Sequence, residues 1–131
     1  RWATDGQTQM KGMDVFLFGI TVAPKITNDL LEQIKLEKEK VDYFVFHQAN
    51  SFLNERVRKK LKIPPEKVPY SLKDFGNTSS ASIPLTMVTQ MREALFSEEL
   101  SLITTAFGIG LSWGCAHLNT SKVVCSKLIE S

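Results

Sequence analysis

The chain has 131 residues, of which 43% are hydrophobic and 23% charged, with a formal net charge of +2 at pH 7. A chain of this size buries roughly two thirds of its unfolded surface, so we expect one domain with a substantial core. The composition argues against a disordered chain, and the charge is too small to indicate a nucleic-acid-binding surface. Its longest apolar stretches, Val15–Ala23 and Leu100–Leu118, are interrupted by Gly, Ser and Thr and predict no transmembrane helix.

Two features concern the origin of the chain. Cys115 and Cys125 are too few and too far apart for a disulfide framework, and no signal-peptide pattern is present, so free thiols in a cytoplasmic protein are the simplest interpretation. The chain begins with Arg1, and its first dozen residues are polar and aperiodic. We therefore expect an irregular segment over residues 1–12 and a piece of a longer protein.

The first predicted element is a helix over residues 14–36. Its apolar residues recur at intervals of three and four, which predicts one buried stripe: Ile20, Ala23, Ile26, Leu30, Leu31 and Ile34. Pro24 is expected to kink or divide this helix, because proline lacks an N–H and clashes with the preceding turn.

A short buried strand is predicted next, at Tyr43–Phe46, where an aromatic and β-branched run ends abruptly at a polar sequence. A second helix should begin near Asn50 or Ser51, either of which could cap it. The polar residues 47–50 then lie at the carboxyl end of a strand, which is where ligands bind in open α/β sheets.

The remainder of the chain predicts one more helix and several strands. The helix is expected at Ile83–Leu95, with Pro84 in its first turn. Strands are predicted at Val68–Leu72, Leu102–Phe107, Leu111–Leu118 and Lys122–Ile129. This order of elements predicts an α/β fold with a mixed sheet.

Three polar or glycine-rich loops each follow a predicted strand, at residues 47–50, 76–80 and 108–110. Taken separately they are weak signals, because a lone His after a strand is more often a structural hydrogen-bonding group than a catalyst. An Asn after Gly is more often a turn residue.

Taken together, the loops match a family. The motifs are His47-Gln48-Ala49-Asn50, Gly76-Asn77-Thr78-Ser79 followed by Ala81-Ser82-Ile83-Pro84, and Ala106-Phe107-Gly108 with Trp113-Gly114 downstream. In this order and spacing they resemble the signatures of the beta-ketoacyl-acyl-carrier-protein synthase III family, and Met10, Gly12, Val15 and Phe16 resemble the beginning of the same region. The resemblance extends from about residue 10 to residue 118 of this chain.

The resemblance implies that residues 13–131 form the C-terminal half of a thiolase-like fold, a mixed sheet with helices that lacks the first strand of that half. In the family the nucleophilic Cys lies at a helix N-terminus in the other half, where its pKa is lowered. The chain is therefore expected to be inactive alone and to need the N-terminal half of the same enzyme.

The resemblance also implies roles for residues. His47 and Asn77 would donate N–H groups to the enolate oxygen that forms when a malonyl thioester loses carbon dioxide. The second ring nitrogen of His47 should then accept a hydrogen bond that fixes the tautomer. The backbone amide of Ile109 would serve the second oxyanion hole, although the triple glycine of the family reads Gly108-Ile109-Gly110 here. The branched Ile109 side chain is expected to reshape the pocket.

Substrate contacts follow from the same resemblance. Asn50 is a candidate hydrogen-bonding partner of the pantetheine arm, and Phe52 stands where the family often has an Arg at the tunnel mouth. A basic set on the second helix could supply the lost charge and dock a carrier protein: Arg56, Arg58, Lys59, Lys60 and Lys62. A solvated basic helix face is the other interpretation of these residues.

The remaining candidates for chemistry are weak. Neither Cys115, inside a predicted strand, nor Cys125 has the setting of a nucleophile, and His117 lacks neighbours at metal-ligand spacing, so no metal site is predicted. No cofactor is expected; coenzyme A and acyl-carrier-protein thioesters would be substrates, and acyl-CoA, acyl carrier protein and a second copy of the chain are the expected partners. Two alternatives stay open: a non-catalytic acyl- or carrier-binding module, and a structural partner subunit.

Overall fold

The computed structural model describes residues 11–129, so most of the predicted irregular segment 1–12 lies outside the described residues. In chain order the elements are α1 (Gly12–Gln33), β1 (Tyr43–Phe46), α2 (Ser51–Leu61), α3 (Leu72–Phe75), α4 (Ser82–Gln90), α5 (Arg92–Ser97), β2 (Glu99–Gly108) and β3 (Ser112–Ser121). The strands form one sheet in the order β1-β2-β3, in which β1 is parallel to β2 and β2 is antiparallel to β3. The predicted α/β class with a mixed sheet is confirmed.

Alternation along the central strands builds a core on each face of the sheet. Phe44 and Phe46 of β1 pack with Ile103 and Phe107 of β2 on the side covered by α1 and α2. Val45 points the other way and packs with residues of β2 and of the α4–α5 region, namely Met91, Leu95, Leu100 and Leu102. Each fully buried side chain of this kind contributes about 1.5–3 kcal/mol. The two cores hold β1 and β2 between helices, and the carboxyl end of β1 is thereby fixed.

Of the two outcomes predicted for Pro24, a kink or a division, the division does not occur, because α1 continues through it from Gly12 to Gln33. Proline cannot donate to the carbonyl of Ile20, one turn earlier, but Lys60 of α2 donates its Nζ to that carbonyl at 3.2 Å. A side chain of the neighbouring helix therefore supplies the missing donor. Buried Pro24 also lies in the packed face of the helix.

Two predicted strands are absent from their positions. Val68–Leu72 passes from a single 3-10 turn into α3; Pro69 has no N–H to donate, and the N–H of Ser71 donates to the Gln48 side chain at 3.2 Å. Lys122–Ile129 leaves the sheet as irregular chain, since Lys122 adopts a φ of 50° and Val123 donates to the Leu95 carbonyl at 2.8 Å. Local hydrogen-bond partners thus replace a strand ladder in both segments.

The predicted helix at Ile83–Leu95 is confirmed with a break. It consists of α4 and α5, interrupted at Met91, and Pro84 does lie in the first turn of α4. The predicted antiparallel pair is also confirmed: β2 and β3 are joined at Ile109–Leu111 and pair from Glu99 with Ser121 to Gly108 with Ser112. Across residues 11–129, the length and hydropathy of the helices do not suffice for any of them to cross a membrane.

Candidate active site

The carboxyl end of β1 carries the first polar loop, and hydrogen bonds fix its backbone. The His47 N–H donates to the Thr105 carbonyl of β2 at 2.8 Å, which extends the parallel ladder by one residue. From the other side, Asn54 of α2 donates its Nδ2 to the His47 carbonyl at 3.1 Å. The Phe107 ring then meets the imidazole edge-on, with 5.7 Å between ring centroids. His47 is therefore held by β2, α2 and an aromatic wall.

The imidazole of His47 is half-buried and its pKa is shifted. Burial lowers the pKa below the ordinary value of 6.5, and a hydrogen bond with the Ser79 backbone opposes the shift. Its Nδ1 lies 2.7 Å from the Ser82 Oγ at the start of α4. A pKa below 6.5 leaves the ring mostly neutral at pH 7, with the Ser82 Oγ beside Nδ1.

The second polar loop, around Asn77, folds onto the first. The Asn77 Oδ1 accepts from the Ser79 N–H at 2.9 Å, and its Nδ2 reaches the Ala49 carbonyl at 3.5 Å, the outer limit of a hydrogen bond. Since Oδ1 is engaged inside its own loop, the amide presents N–H groups toward residues 47–49. Ser79 adopts a φ of 55°, a left-handed conformation that is uncommon for a residue other than glycine and often found at functional sites. Its N–H donates to Asn77, and Asn77 in turn contacts the Ala49 carbonyl, so the two predicted donors lie in loops that meet.

The third loop is the turn between β2 and β3. Ile109 is 83% exposed, and its carbonyl accepts from the Ser112 Oγ at 2.8 Å. Gly110 has a φ of 145°, and a Cβ built there would lie 2.9 Å from the Ser112 nitrogen, so the turn requires glycine at this position. Phe107, two residues before Ile109, connects this turn to His47. The branched side chain of Ile109 thus faces solvent in the chain as described.

The substrate-contact candidates on α2 have specific neighbours. Asn50, one of the two predicted cap candidates, is the N-cap residue of α2, and its Oδ1 accepts from the Leu53 N–H at 2.8 Å. Phe52 stacks on Phe16 of α1 at 5.7 Å, and the Arg56 guanidinium lies 5.0 Å from the Phe52 ring centroid. An exposed aromatic and cationic edge therefore lies beside the His47 loop.

Four of the five basic residues in the predicted docking set differ in how they are engaged. The Arg58 side chain is only 12% exposed; its guanidinium donates twice to Glu55 and once to the Ile63 carbonyl. The hydrogen bonds from Arg58 lower the pKa of Glu55 to about 2. Lys60 donates to the Ile20 carbonyl. Arg56 and Lys59 are exposed and better placed than the other two to meet a partner.

Cys115 of β3 is partly buried and lies beside two buried polar residues, Thr105 and Thr27. Its Sγ is 3.2 Å from the Thr105 Oγ1, which in turn lies 2.9 Å from the Thr27 Oγ1 of α1. Burial raises the pKa of the Cys115 thiol, against hydrogen bonds that lower it. The thiol is therefore protonated at pH 7 and points into packed structure.

Within residues 11–129, His, Cys, Asp and Glu side chains form no group of three that could hold a metal ion.

Several residues that build the site carry no functional signal in the sequence. Ser82 belongs to one of the motifs, but its contact with His47 Nδ1 joins residues 35 positions apart and has no local signature. Phe107 also belongs to a motif, but nothing in the sequence predicts its contact with His47. The pattern around Asn54 predicts only helix. The strand-end position of His47 is the signal that does find the site.

The fold and this arrangement of loops define a thiolase-like α/β domain. Residues 31–120 match the family model described as 3-Oxoacyl-[acyl-carrier-protein (ACP)] synthase III C terminal. The chain belongs to this family, and the resemblance noted from the three loops is confirmed.

Individual relatives agree with the family assignment. Beta-ketoacyl-[acyl-carrier-protein] synthase III 1 of Halalkalibacterium halodurans is 40% identical over 114 residues, which cover 87% of this chain and 36% of that protein. The crystal structure of 3-oxoacyl-(acyl-carrier protein) synthase from Burkholderia xenovorans superposes with a TM-score of 0.89 at 37% identity, covering 93% of this chain and 35% of that one. The synthase III structure from Aquifex aeolicus gives 0.81 at 31% identity, with 90% and 38% covered. The chain thus spans about a third of the length of the relatives it matches.

Proposed function

We propose that the chain is the enolate-stabilising part of a decarboxylative condensing enzyme that joins an acyl thioester to malonyl-acyl carrier protein. The observation that carries the proposal is that the His47 and Asn77 loops meet: the Asn77 Nδ2 contacts the Ala49 carbonyl at 3.5 Å, and the His47 Nδ1 lies 2.7 Å from the Ser82 Oγ. The Asn77 Nδ2 carries two N–H groups and makes one long contact, with the Ala49 carbonyl, so it would keep an N–H for a ligand, as would His47 at Nε2. The names of the relatives, which are beta-ketoacyl-acyl-carrier-protein synthases III, support the same chemistry.

The first step places negative charge on an oxygen next to these donors. When the carboxylate of a malonyl thioester leaves as carbon dioxide, the electron pair of the broken C–C bond passes into the thioester as an enolate. His47 Nε2–H and Asn77 Nδ2–H would stabilise that oxygen. Donors fixed before the reaction act without reorganisation, and removing one commonly costs about 100- to 1,000-fold in rate.

The second step forms the new C–C bond. The α carbon attacks an acyl group carried as a thioester on a cysteine outside this chain, and the thiolate leaves when the tetrahedral intermediate collapses. The Ile109 amide would donate to the oxyanion of that intermediate. Cys115 does not fit the nucleophilic role, because burial keeps its thiol protonated, whereas nucleophilic cysteines carry a lowered pKa.

Substrate and carrier contacts are assigned to α2. Asn50 keeps its Nδ2 for the pantetheine arm while its Oδ1 caps the helix. Phe52 and Arg56 form the exposed edge beside the His47 loop, and Lys59 extends the positive charge along the helix. Carrier proteins present phosphopantetheine, which is anionic at its attachment point, so a basic helix suits them as partners.

The rest of the enzyme, or a second copy, should cover an apolar surface near the β2–β3 turn. Ile109, Leu111 and Trp113 are 83%, 52% and 56% exposed, and β3 is the outer strand of the sheet as described. Exposed apolar patches and open strand edges associate. We expect the isolated chain to form dimers or higher oligomers in light scattering; a monomer at high concentration would contradict this assignment.

The decisive experiment measures carbon dioxide release from malonyl-acyl carrier protein by the complete enzyme. His47→Ala and Asn77→Ala should each lower the rate about 100- to 1,000-fold, as for loss of an oxyanion donor. Ser80→Ala, an exposed change in the same loop, is the matched control and should leave the rate unchanged. Full release by His47→Ala would overturn the proposal.

A further inference from the structure

A buried chain of polar side chains lies behind His47. Its members are each no more than 1% exposed: Gln48, Ser71, Ser82 and Thr86. The Ser71 N–H donates to Gln48 Oε1 at 3.2 Å, and the Ser71 Oγ lies 2.7 Å from the Thr86 Oγ1. Thr86 Oγ1 donates to the Ser82 carbonyl at 2.8 Å. Buried polar groups destabilise a protein unless they are hydrogen-bonded. Each of these four residues has a hydrogen-bond partner, and Ser82 also contacts the imidazole of His47.

We propose that Ser82 is the positioning residue that sets the tautomer of His47, holding Nδ1 as an acceptor and leaving Nε2 as an N–H donor. The Ser82 Oγ lies 2.7 Å from Nδ1 and 3.3 Å from the Gln48 amide nitrogen. A backbone N–H can only donate, so the hydroxyl oxygen accepts from Gln48. Its own proton is then directed to Nδ1.

The opposite tautomer is disfavoured by the same partners. If Nδ1 carried the proton, it and the Gln48 amide would both donate to the Ser82 oxygen. The hydroxyl proton of Ser82 would then have no acceptor among residues 11–129, in a position that is 1% exposed. A buried donor without a hydrogen-bond partner destabilises the protein by the full free energy of its desolvation. In the Nε2–H form, Nδ1 is the acceptor for that hydroxyl proton.

The position of Ser82 in the fold holds its hydroxyl in place next to His47. Ser82 is the first residue of α4, and Thr86, one turn later, holds its carbonyl. The helix therefore presents the hydroxyl to His47 from a fixed position, and the hydrogen bond also restricts rotation of the ring. The consequence for catalysis rests on the proposed function, because an Nε2–H donor is what a developing enolate oxygen requires.

The tautomer can be measured directly on the 15N-labelled 131-residue chain, by long-range proton–nitrogen correlation of the His47 ring. Wild type should show a pyridine-type Nδ1 and a protonated Nε2. Ser82→Ala should give a measurable Nδ1–H population, Ser82→Thr should restore the wild-type ring, and Ser80→Ala should leave it unchanged. A protonated Nδ1 in the wild-type ring would overturn the proposal whether or not the variants fold, and so would unchanged populations in a folded Ser82→Ala chain.

A second measurement separates this inference from the proposed function. In the complete enzyme, Ser82→Ala should lower kcat for carbon dioxide release about tenfold, the effect of losing one neutral hydrogen bond, with KM unchanged. If His47→Ala abolishes release while the wild-type ring proves to be Nδ1–H, the role of Ser82 fails and the proposed function stands. If the ring is Nε2–H and depends on Ser82 while His47→Ala retains full release, the proposed function fails and the positioning role stands.

Discussion

Gly19 of α1 and Phe107 of β2 pack so closely that a Cβ built on Gly19 would lie 2.8 Å from the Cε2 of the Phe107 ring. The same ring meets the His47 imidazole edge-on. Because position 19 has no side chain, α1 can pack closely against the Phe107 ring, which in turn packs against the imidazole of His47. The Phe107 ring therefore belongs both to the packing between α1 and the sheet and to the surroundings of His47.

Gly19→Ala should destabilise the chain by about 1–3 kcal/mol, because overpacking forces the buried ring to move. The displaced ring should also shift the proton resonances of His47 through its ring current. Urea unfolding measures the first effect and NMR the second. Gly12→Ala is the matched control in the same helix, since a Cβ there meets nothing within 4 Å. Equal stability of the two variants would contradict the packing argument.

Lys60→Met should destabilise the chain by about 0.5–1.5 kcal/mol, since the Ile20 carbonyl loses its donor. In a Pro24→Ala background the cost should shrink, because an alanine at that position can donate its own helical N–H to the same carbonyl. A double-mutant cycle by urea unfolding measures the coupling directly. Zero coupling between positions 24 and 60 would show that the two residues act independently.

The free energy of unfolding should fall as the pH drops below 6.5, because the pKa of His47 is lower in the folded chain than in the unfolded chain. In that window the unfolded chain binds more protons than the folded chain, so stability is complete above 6.5 and is lost as the pH falls through the lowered pKa. Urea unfolding at several pH values measures the slope. His47→Gln should flatten it, whereas His117→Gln keeps His47 and should retain it. An unchanged slope in His47→Gln would assign the dependence elsewhere.

Cys115 should resist alkylation at pH 7. Burial raises its pKa and leaves little thiolate, so iodoacetamide should react at least about tenfold more slowly than with the unfolded chain. Mass spectrometry in a Cys125→Ser background follows this one site. Rapid modification of the folded chain would mean that the thiol is accessible and ionised, which would reopen its nucleophilic role.

Lys59→Glu should raise the KM for the acyl carrier protein about tenfold and should do so less at high salt, because the effect is electrostatic. Lys40→Glu is the control, since Lys40 is exposed before the opposite end of β1. Arg58→Gln should instead lower stability, because its guanidinium holds Glu55 and the Ile63 carbonyl. A carrier KM that responds to Lys40 as strongly as to Lys59 would contradict the assigned docking surface.

Local patterns predicted the elements that bury regular faces. Tyr43–Phe46, the Asn50 cap and the β2–β3 hairpin follow from hydrophobic runs, capping chemistry and turn residues, all of which are local. The residues Val68–Leu72 have side chains typical of a strand, but no strand forms there. Pro69 has no N–H, and the Ser71 N–H donates to Gln48, so neither can donate to a neighbouring strand. Tertiary partners decided that segment, as Lys60 decided the continuity of α1 at Pro24.

The sequence by itself determined the family, the α/β class and the loops that carry His47, Asn77 and Ile109, because motif order and strand-end position are written along the chain. Only the tertiary structure decided how those loops meet and which atoms they use. The Ser82 hydroxyl at His47 Nδ1, the Asn77 amide at the Ala49 carbonyl and the Phe107 ring against the imidazole all join residues distant in sequence. Such contacts depend on how helices pack against the sheet, and hydrogen-bond direction is fixed only once both partners are in place.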